Sequence, residues 1–166
     1  MHPAYFAMVM ATGIVSIACQ LLELRLIGRV FFWLNIPFYV ALWALTFVRC
    51  IRYPKRVLAD FLHHGRSVGF FTIVAGTCVL GTQFLIIGGL WSIAALLWCL
   101  GIVLWAILTY GIITVLTVKE SKPGLAEGIN GGWLLPVVAA QSVAVLGAGP
   151  VGQSAIALSA CWIASS

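Results

Sequence analysis

The chain has 166 residues, of which 63% are hydrophobic and 8% charged, and its mean hydropathy is +1.12. Soluble domains carry charge on about a quarter of their residues, and disorder needs low hydrophobicity with high net charge, so both are excluded. The formal charge of +5 comes from nine Lys and Arg against four Asp and Glu, too few and too scattered for a nucleic-acid face. An integral membrane protein remains.

The charges divide the chain. No Asp, Glu, Lys or Arg occurs in Met1–Leu22, Val30–Val48, Ser67–Val118 or Gly128–Ser166. A spanning helix needs about 20 apolar residues to cross about 30 Å of hydrocarbon. A β-barrel would show short alternating segments, which runs such as Leu85-Ile86-Ile87 do not. The fold class is therefore all-α and polytopic, built of helical hairpins. Span one is expected over Tyr5–Leu22. Met1–Leu22 lacks the basic start and small-residue cleavage site of a signal peptide. Glu23, Arg25 and Arg29 mark a polar link, and span two follows over Val30–Val48 with Pro37 inside it. Span three is expected over Val68–Ile87, and Gly88-Gly89 forms the hairpin turn to span four, Trp91–Val118. A polar loop, Lys119–Gly132, leads to span five over Trp133–Leu146. Gly147, Gly149 and Pro150 are expected to end it, and Ser154–Ser166 reads as a partial sixth span. A short interfacial helix is the alternative for that last segment.

The basic residues set the orientation. Arg49, Arg52, Lys55, Arg56 and Arg66 follow span two, Lys119 and Lys122 follow span four, and only Arg25 and Arg29 fall on the other side. Positive loops stay in the cytoplasm, which places the N-terminus there and the protein in the plasma (cell inner) membrane. In the first large loop Val57, Leu58, Phe61 and Leu62 share a helical face beside Lys55 and Arg56. That pattern predicts a short amphipathic helix at the bilayer surface.

Candidate chemistry is sparse. Cys19, Cys50, Cys78, Cys99 and Cys161 form no CxxC pair, and cysteines within spans behave as small hydrophobes. His63 and His64 are adjacent, so on a helix they diverge, and with Asp60 alone nearby they read as a solvated pair. No His lies in a span, which excludes a haem site there. No cofactor, metal site or catalytic constellation is expected, so the chain is not expected to be an enzyme. Trp91, Trp98 and Trp105 recur every seventh residue along one stripe. They read as a bulky lipid-facing or packing seam with Trp91 as interfacial anchor.

The odd spans differ from the even ones. Span one holds Thr12, Gly13, Ser16 and Gln20; span three holds Gly76, Thr77, Gly81, Thr82 and Gln83; span five holds Pro136, Ala139, Ala140, Gln141 and Ser142. Spans two and four hold most of the Trp, Phe and Leu. Small residues let helices approach closely in lipid, and they also suit an inner layer around a path. Gly13–Gln20 and Gly76–Gln83 share Gly, a small residue five positions on, then Cys or Thr, then Gln, a weak internal repeat of the kind hairpin-built transport folds show. The spans carry no ionisable relay of the sort proton-coupled carriers keep.

The stretch His2–Ser16 resembles the first span of the tellurite-resistance/dicarboxylate transporter family, Gly69–Thr77 its third, and Asn130–Ser142 the start of its fifth. The slow-type anion channels and malate permeases belong to the same superfamily. The resemblance implies ten spans in five hairpins, odd helices around a central pore, and a homotrimer with one pore per subunit. On that basis this chain is the N-terminal half of the domain. Small anions such as C4-dicarboxylate, tellurite, sulfite, halide or nitrate would be its cargo. Matched by motif, Thr12, Gly13, Ser16, Gly76, Thr77, Pro136 and Gln141 are the implied pore-lining residues. The resemblance implies a gating Phe beyond this stretch. A membrane scaffold without transport of its own is the rival reading.

Overall fold

A computed structural model describes residues 5–55, 57, 68–118 and 134–164, with 68, 115–118 and 150–164 as backbone only. Among these residues there are five α-helices and no strand. They are α1 (Phe6–Leu21), α2 (Arg25–Arg52), α3 (Phe71–Ile86), α4 (Trp91–Val118) and α5 (Leu135–Ala164); a 3-10 turn, Val68–Phe70, leads into α3. The expected amphipathic segment after Val57 and both histidines of the first large loop lie outside the described residues.

The helix ends follow the sequence pattern at α4 and depart from it at α2 and α5. α4 spans Trp91–Val118, and the preceding turn contains Gly89 at φ +63°, the left-handed region that glycine enters without strain. α2 is longer than expected. Its first residue is Arg25, so both arginines of the expected polar link are helical. Arginine side chains near a helix end reach toward the headgroups while their backbone stays helical; a basic residue marks the edge of hydrocarbon, not the end of a helix. The α1–α2 link shrinks to Leu22, Glu23 and Leu24, with Glu23 at φ +63°.

The second correction concerns α5. Spans at 133–146 and 154–166 were expected as separate elements, yet one helix of 30 residues runs through Gly147, Gly149 and Pro150. The glycines serve contact. A Cβ on Gly147 would lie 2.8 Å from Trp98 Nε1, and one on Gly149 would collide with Leu85. Gly and Pro are tolerated in membrane helices where neighbours cover the backbone. The partial sixth span is thus the far end of α5.

By length and composition, α2 and the Trp91–Thr114 part of α4 can cross a bilayer; Phe6–Leu21, Phe71–Ile86 and Leu135–Gly149 are shorter apolar stretches. α1 packs on α2 and α3, α3 on α4 and α5, and α4 on α5. The small-residue helices α1, α3 and α5 therefore form a row, flanked by α2 and α4. α3 lies deepest, with Phe71 to Cys78 continuously buried. The flanking helices turn Trp33, Phe47, Leu96, Ile107 and Tyr110 outward. Between helices in lipid there is little hydrophobic drive, so close packing and hydrogen bonds must hold the row together.

Candidate functional site

The row α1–α3–α5 is not flat. α3 is set back, and a groove of about 430 Å³ opens over it between α1 and α5. Ile14 and Ile17 form one bank, Val79, Thr82 and Ile86 the floor, and Val137, Val138, Gln141, Ser142 and Val145 the other bank. The wall is almost wholly apolar. Thr82 donates its hydroxyl proton back to the Cys78 carbonyl at 3.0 Å, and Ser142 donates to Val138 at 2.8 Å. Both hydroxyls thus present only acceptor lone pairs to the groove. Gln141 is exposed and brings the one side-chain amide on the wall. Among the described residues no cluster of His, Cys, Asp or Glu has metal-binding spacing.

The seven residues expected on a pore wall fall into different places. Gln141 lines the groove; Thr12, Gly13, Ser16, Gly76, Thr77 and Pro136 are not among its lining residues. Ser16 is fully buried and donates to the Gly28 carbonyl of α2 at 2.7 Å. Gly76 lies under Phe6, whose carbonyl would stand 3.4 Å from an added Cβ. Thr77 is buried; its hydroxyl donates to the Ile73 carbonyl at 2.7 Å and accepts from Tyr39 at 3.0 Å. Pro136 is half-buried in the first turn of α5, where a missing N–H costs nothing. Thr12 and Gly13 sit at the α1–α2–α3 junction. A Cβ on Gly13 would collide with Val79 and stand 3.2 Å from Asn35 Nδ2 and 3.3 Å from Gln83 Oε1. Only the absence of a side chain lets the three helices meet there.

Helix order, apolar composition and the small-residue row all fit a membrane conduit, and the match to known families covers nearly the whole sequence. The model of the voltage-dependent anion channel family matches residues 1–165. The chain belongs to the voltage-dependent anion channel family. It is also similar to two uncharacterized transporters of Methanocaldococcus jannaschii. One is 23% identical over 147 residues, and the other is 25% identical over 148. These alignments cover 81% and 82% of this chain and 40% of each relative, so the chain spans about two fifths of the length of the curated relatives it matches. No solved structure matches it. Membership of the anion channel family agrees with the resemblance carried by His2–Ser16, Gly69–Thr77 and Asn130–Ser142.

Two residues that hold this region together are missing from the sequence-based set. Asn35, on α2, is completely buried and bonds to both α1 and α3. Its signal was available: it is the sole Asn in an uncharged apolar run, where an unpaired amide would be expensive. Trp98 donates its indole N–H to the Val143 carbonyl of α5 at 3.0 Å. The seven-residue Trp spacing located its stripe but not that bond. Trp98 and Trp105 pack on the α3–α4–α5 core, while Trp91 is exposed.

Proposed function

We propose that this chain forms one side of a transmembrane path for small anions, with the groove over α3 as its wall. The observation that carries the reading is the groove itself: three adjacent helices, all rich in small residues, frame a continuous concave surface in a family of anion channels. On this reading all five helices cross the membrane, with the N-terminus cytoplasmic in the cell inner membrane, and the complete protein assembles as a homotrimer. Seven of the nine Lys and Arg falling on one side of the bilayer support that orientation. The pore-facing role passes to Gln141 and its groove neighbours. Gly13 and Gly76 act one layer deeper, as the packing that lets α1 and α3 come together, while Ser16 and Thr77 bond these helices to α2.

The chemistry of the wall indicates a rule of selection. An ion entering the groove exchanges water for apolar surface, the Gln141 amide and the lone pairs of Thr82 and Ser142. Few donors replace the lost hydration, so anions that shed water cheaply pass best. Nitrate is expected to exceed chloride, with sulfite and the C4-dicarboxylates slower where both charges must be desolvated.

Flux through the full-length protein in proteoliposomes tests this. The wild type should give an anion-selective reversal potential. Gln141→Trp is expected to cut flux about tenfold, the equivalent of about 1.4 kcal/mol added to the barrier, with the amount of folded protein unchanged because the site is exposed. Cation selectivity, absent flux, or a Gln141→Trp variant that conducts normally would refute the proposal.

A further inference from the structure

The junction behind the groove contains a directed chain of hydrogen bonds. Asn35 Nδ2 donates to the Val9 carbonyl at 3.1 Å. A backbone carbonyl can only accept, so this contact fixes which end of the Asn35 amide is nitrogen. The atom of Gln83 that lies 2.7 Å from the same nitrogen must then be its oxygen, Oε1. Asn35 Oδ1, on the opposite side, lies 2.7 Å from the Thr12 hydroxyl, whose one proton it shares with the Met8 carbonyl at 2.8 Å and the Val9 carbonyl at 3.2 Å. One side chain of α2 thus bonds to two points on α1 and one on α3. Gln83 Nε2 ends the chain, buried and without a partner among the described residues. Its exchange for Oε1 by an amide flip would set two donors against each other.

The location matters as much as the bonding. Gly13 stands directly between this cluster and Val79, and Val79 is part of the groove floor. The residues after Gly13 on α1, Ile14 and Ile17, form the near bank, and Thr82, beside Gln83, lies on the floor. The cluster is therefore one layer behind the wall, at the seam where bank meets floor. α2 contributes no residue to the groove lining.

We propose that Asn35 is a positioning residue for permeation: with Thr12 and Gln83 it locks α1 to α3 immediately behind the groove wall and so sets the width of the groove. The lock rests on the hydrogen bonds alone; its role in permeation rests on the reading of the groove as an anion path. Close packing at Gly13 brings the helices together, but a glycine contact permits sliding along the seam. Three directed bonds on one amide do not, because a shift of one residue would leave buried donors and acceptors unpaired.

The test uses the full-length protein with Asn35→Leu, Thr12→Val, Thr12→Ser and the Asn35→Leu/Thr12→Val double variant. Two quantities are measured: thermal unfolding in detergent, and the nitrate-to-chloride permeability ratio in proteoliposomes. The ratio does not depend on how much protein folds, so loss of stability alone leaves it unmoved. Thr12→Val keeps the shape of the half-buried side chain and gives a readable variant even where Asn35→Leu folds poorly. If the lock exists, the double variant melts no lower than Asn35→Leu, because both changes break the same bond. If the lock positions the wall, Thr12→Val and Asn35→Leu shift the permeability ratio by about fivefold, while Thr12→Ser, which keeps the hydroxyl, matches wild type. Additive melting shifts would overturn the lock. Coupled melting with an unchanged ratio would overturn the positioning role and leave a purely structural cluster. A wild-type protein that passes no anion removes the permeation reading, and with it the positioning role, whatever the melts show.

Discussion

The two helical hairpins solve the same contact in opposite ways. Each turns through one left-handed residue, Glu23 between α1 and α2 and Gly89 between α3 and α4. Counted from that residue, Thr12 and Cys78 stand equally far back, and Asn35 and Gly101 equally far on. In the first hairpin the pair makes a polar contact of 2.7 Å, with the Thr12 hydroxyl proton shared between Asn35 Oδ1 and the Met8 carbonyl. In the second, Cys78 Sγ fills the space where a Cβ of Gly101 would lie, only 2.7 Å away. Ser16 adds another polar bond to α2, onto the Gly28 carbonyl. The α3–α4 seam instead buries Val74, Cys78, Ala94, Leu108 and Ile112. In lipid both routes work, because neither polar pairing nor close packing depends on expelling water. They differ in what breaks them: the first fails when a donor or acceptor is lost, the second when volume is added.

Substitutions can sharpen that contrast. The largest effect is expected from Gly101→Val, which forces two methyl groups against Cys78. Overpacking of this kind costs roughly 3 kcal/mol, read as a lower thermal midpoint in detergent. The double variant with Cys78→Ala should recover most of the loss, and a full loss in that background would show that the seam is not set by this contact. A smaller effect is expected from Trp98→Phe, which removes the N–H donated to Val143 but keeps an aromatic ring against α5; about 1 kcal/mol is the expected loss. The smallest is Ser16→Ala, at about 0.6 kcal/mol, the average for interhelical hydrogen bonds in a membrane protein. If Ser16→Ala were instead to cost more than Gly101→Val, the two hairpins would not differ in the way described.

The sequence was informative where one property dominated. Long uncharged runs located the five helices α1 to α5 among the described residues, and the Gly88-Gly89 pair located a turn because nothing else in that run breaks a helix. Reading Gly147-Ala148-Gly149-Pro150 by the same rule failed. Those glycines answer to Trp98 and Leu85 across space, which local sequence does not display. The α2 boundary failed for a related reason: charge at Arg25 and Arg29 does not end a helix, because a long basic side chain can reach water while its backbone stays helical. At the candidate site, residue size identified which helices lie together, since Gly13 and Gly76 do face neighbours. It did not separate residues that face a groove from residues one layer behind it, because both positions favour small side chains. Asn35 was legible as an anomaly, a single amide in an apolar helix, and its meaning appears only once Val9 and Gln83 are seen on either side of it.

The helix lengths have an electrical consequence. α1 and α3 have 16 residues each, against 28 in α2 and in α4. At 1.5 Å per residue the former measure about 24 Å and the latter about 42 Å, on either side of the roughly 30 Å of a hydrocarbon layer. On the proposed reading, with all five helices in the bilayer, the insulating slab would be thinned from within where the short pair meets the tall pair. The membrane voltage would then fall across a shorter distance, and an anion on the proposed path would meet a steeper field and a narrower dielectric barrier than in the lipid around it.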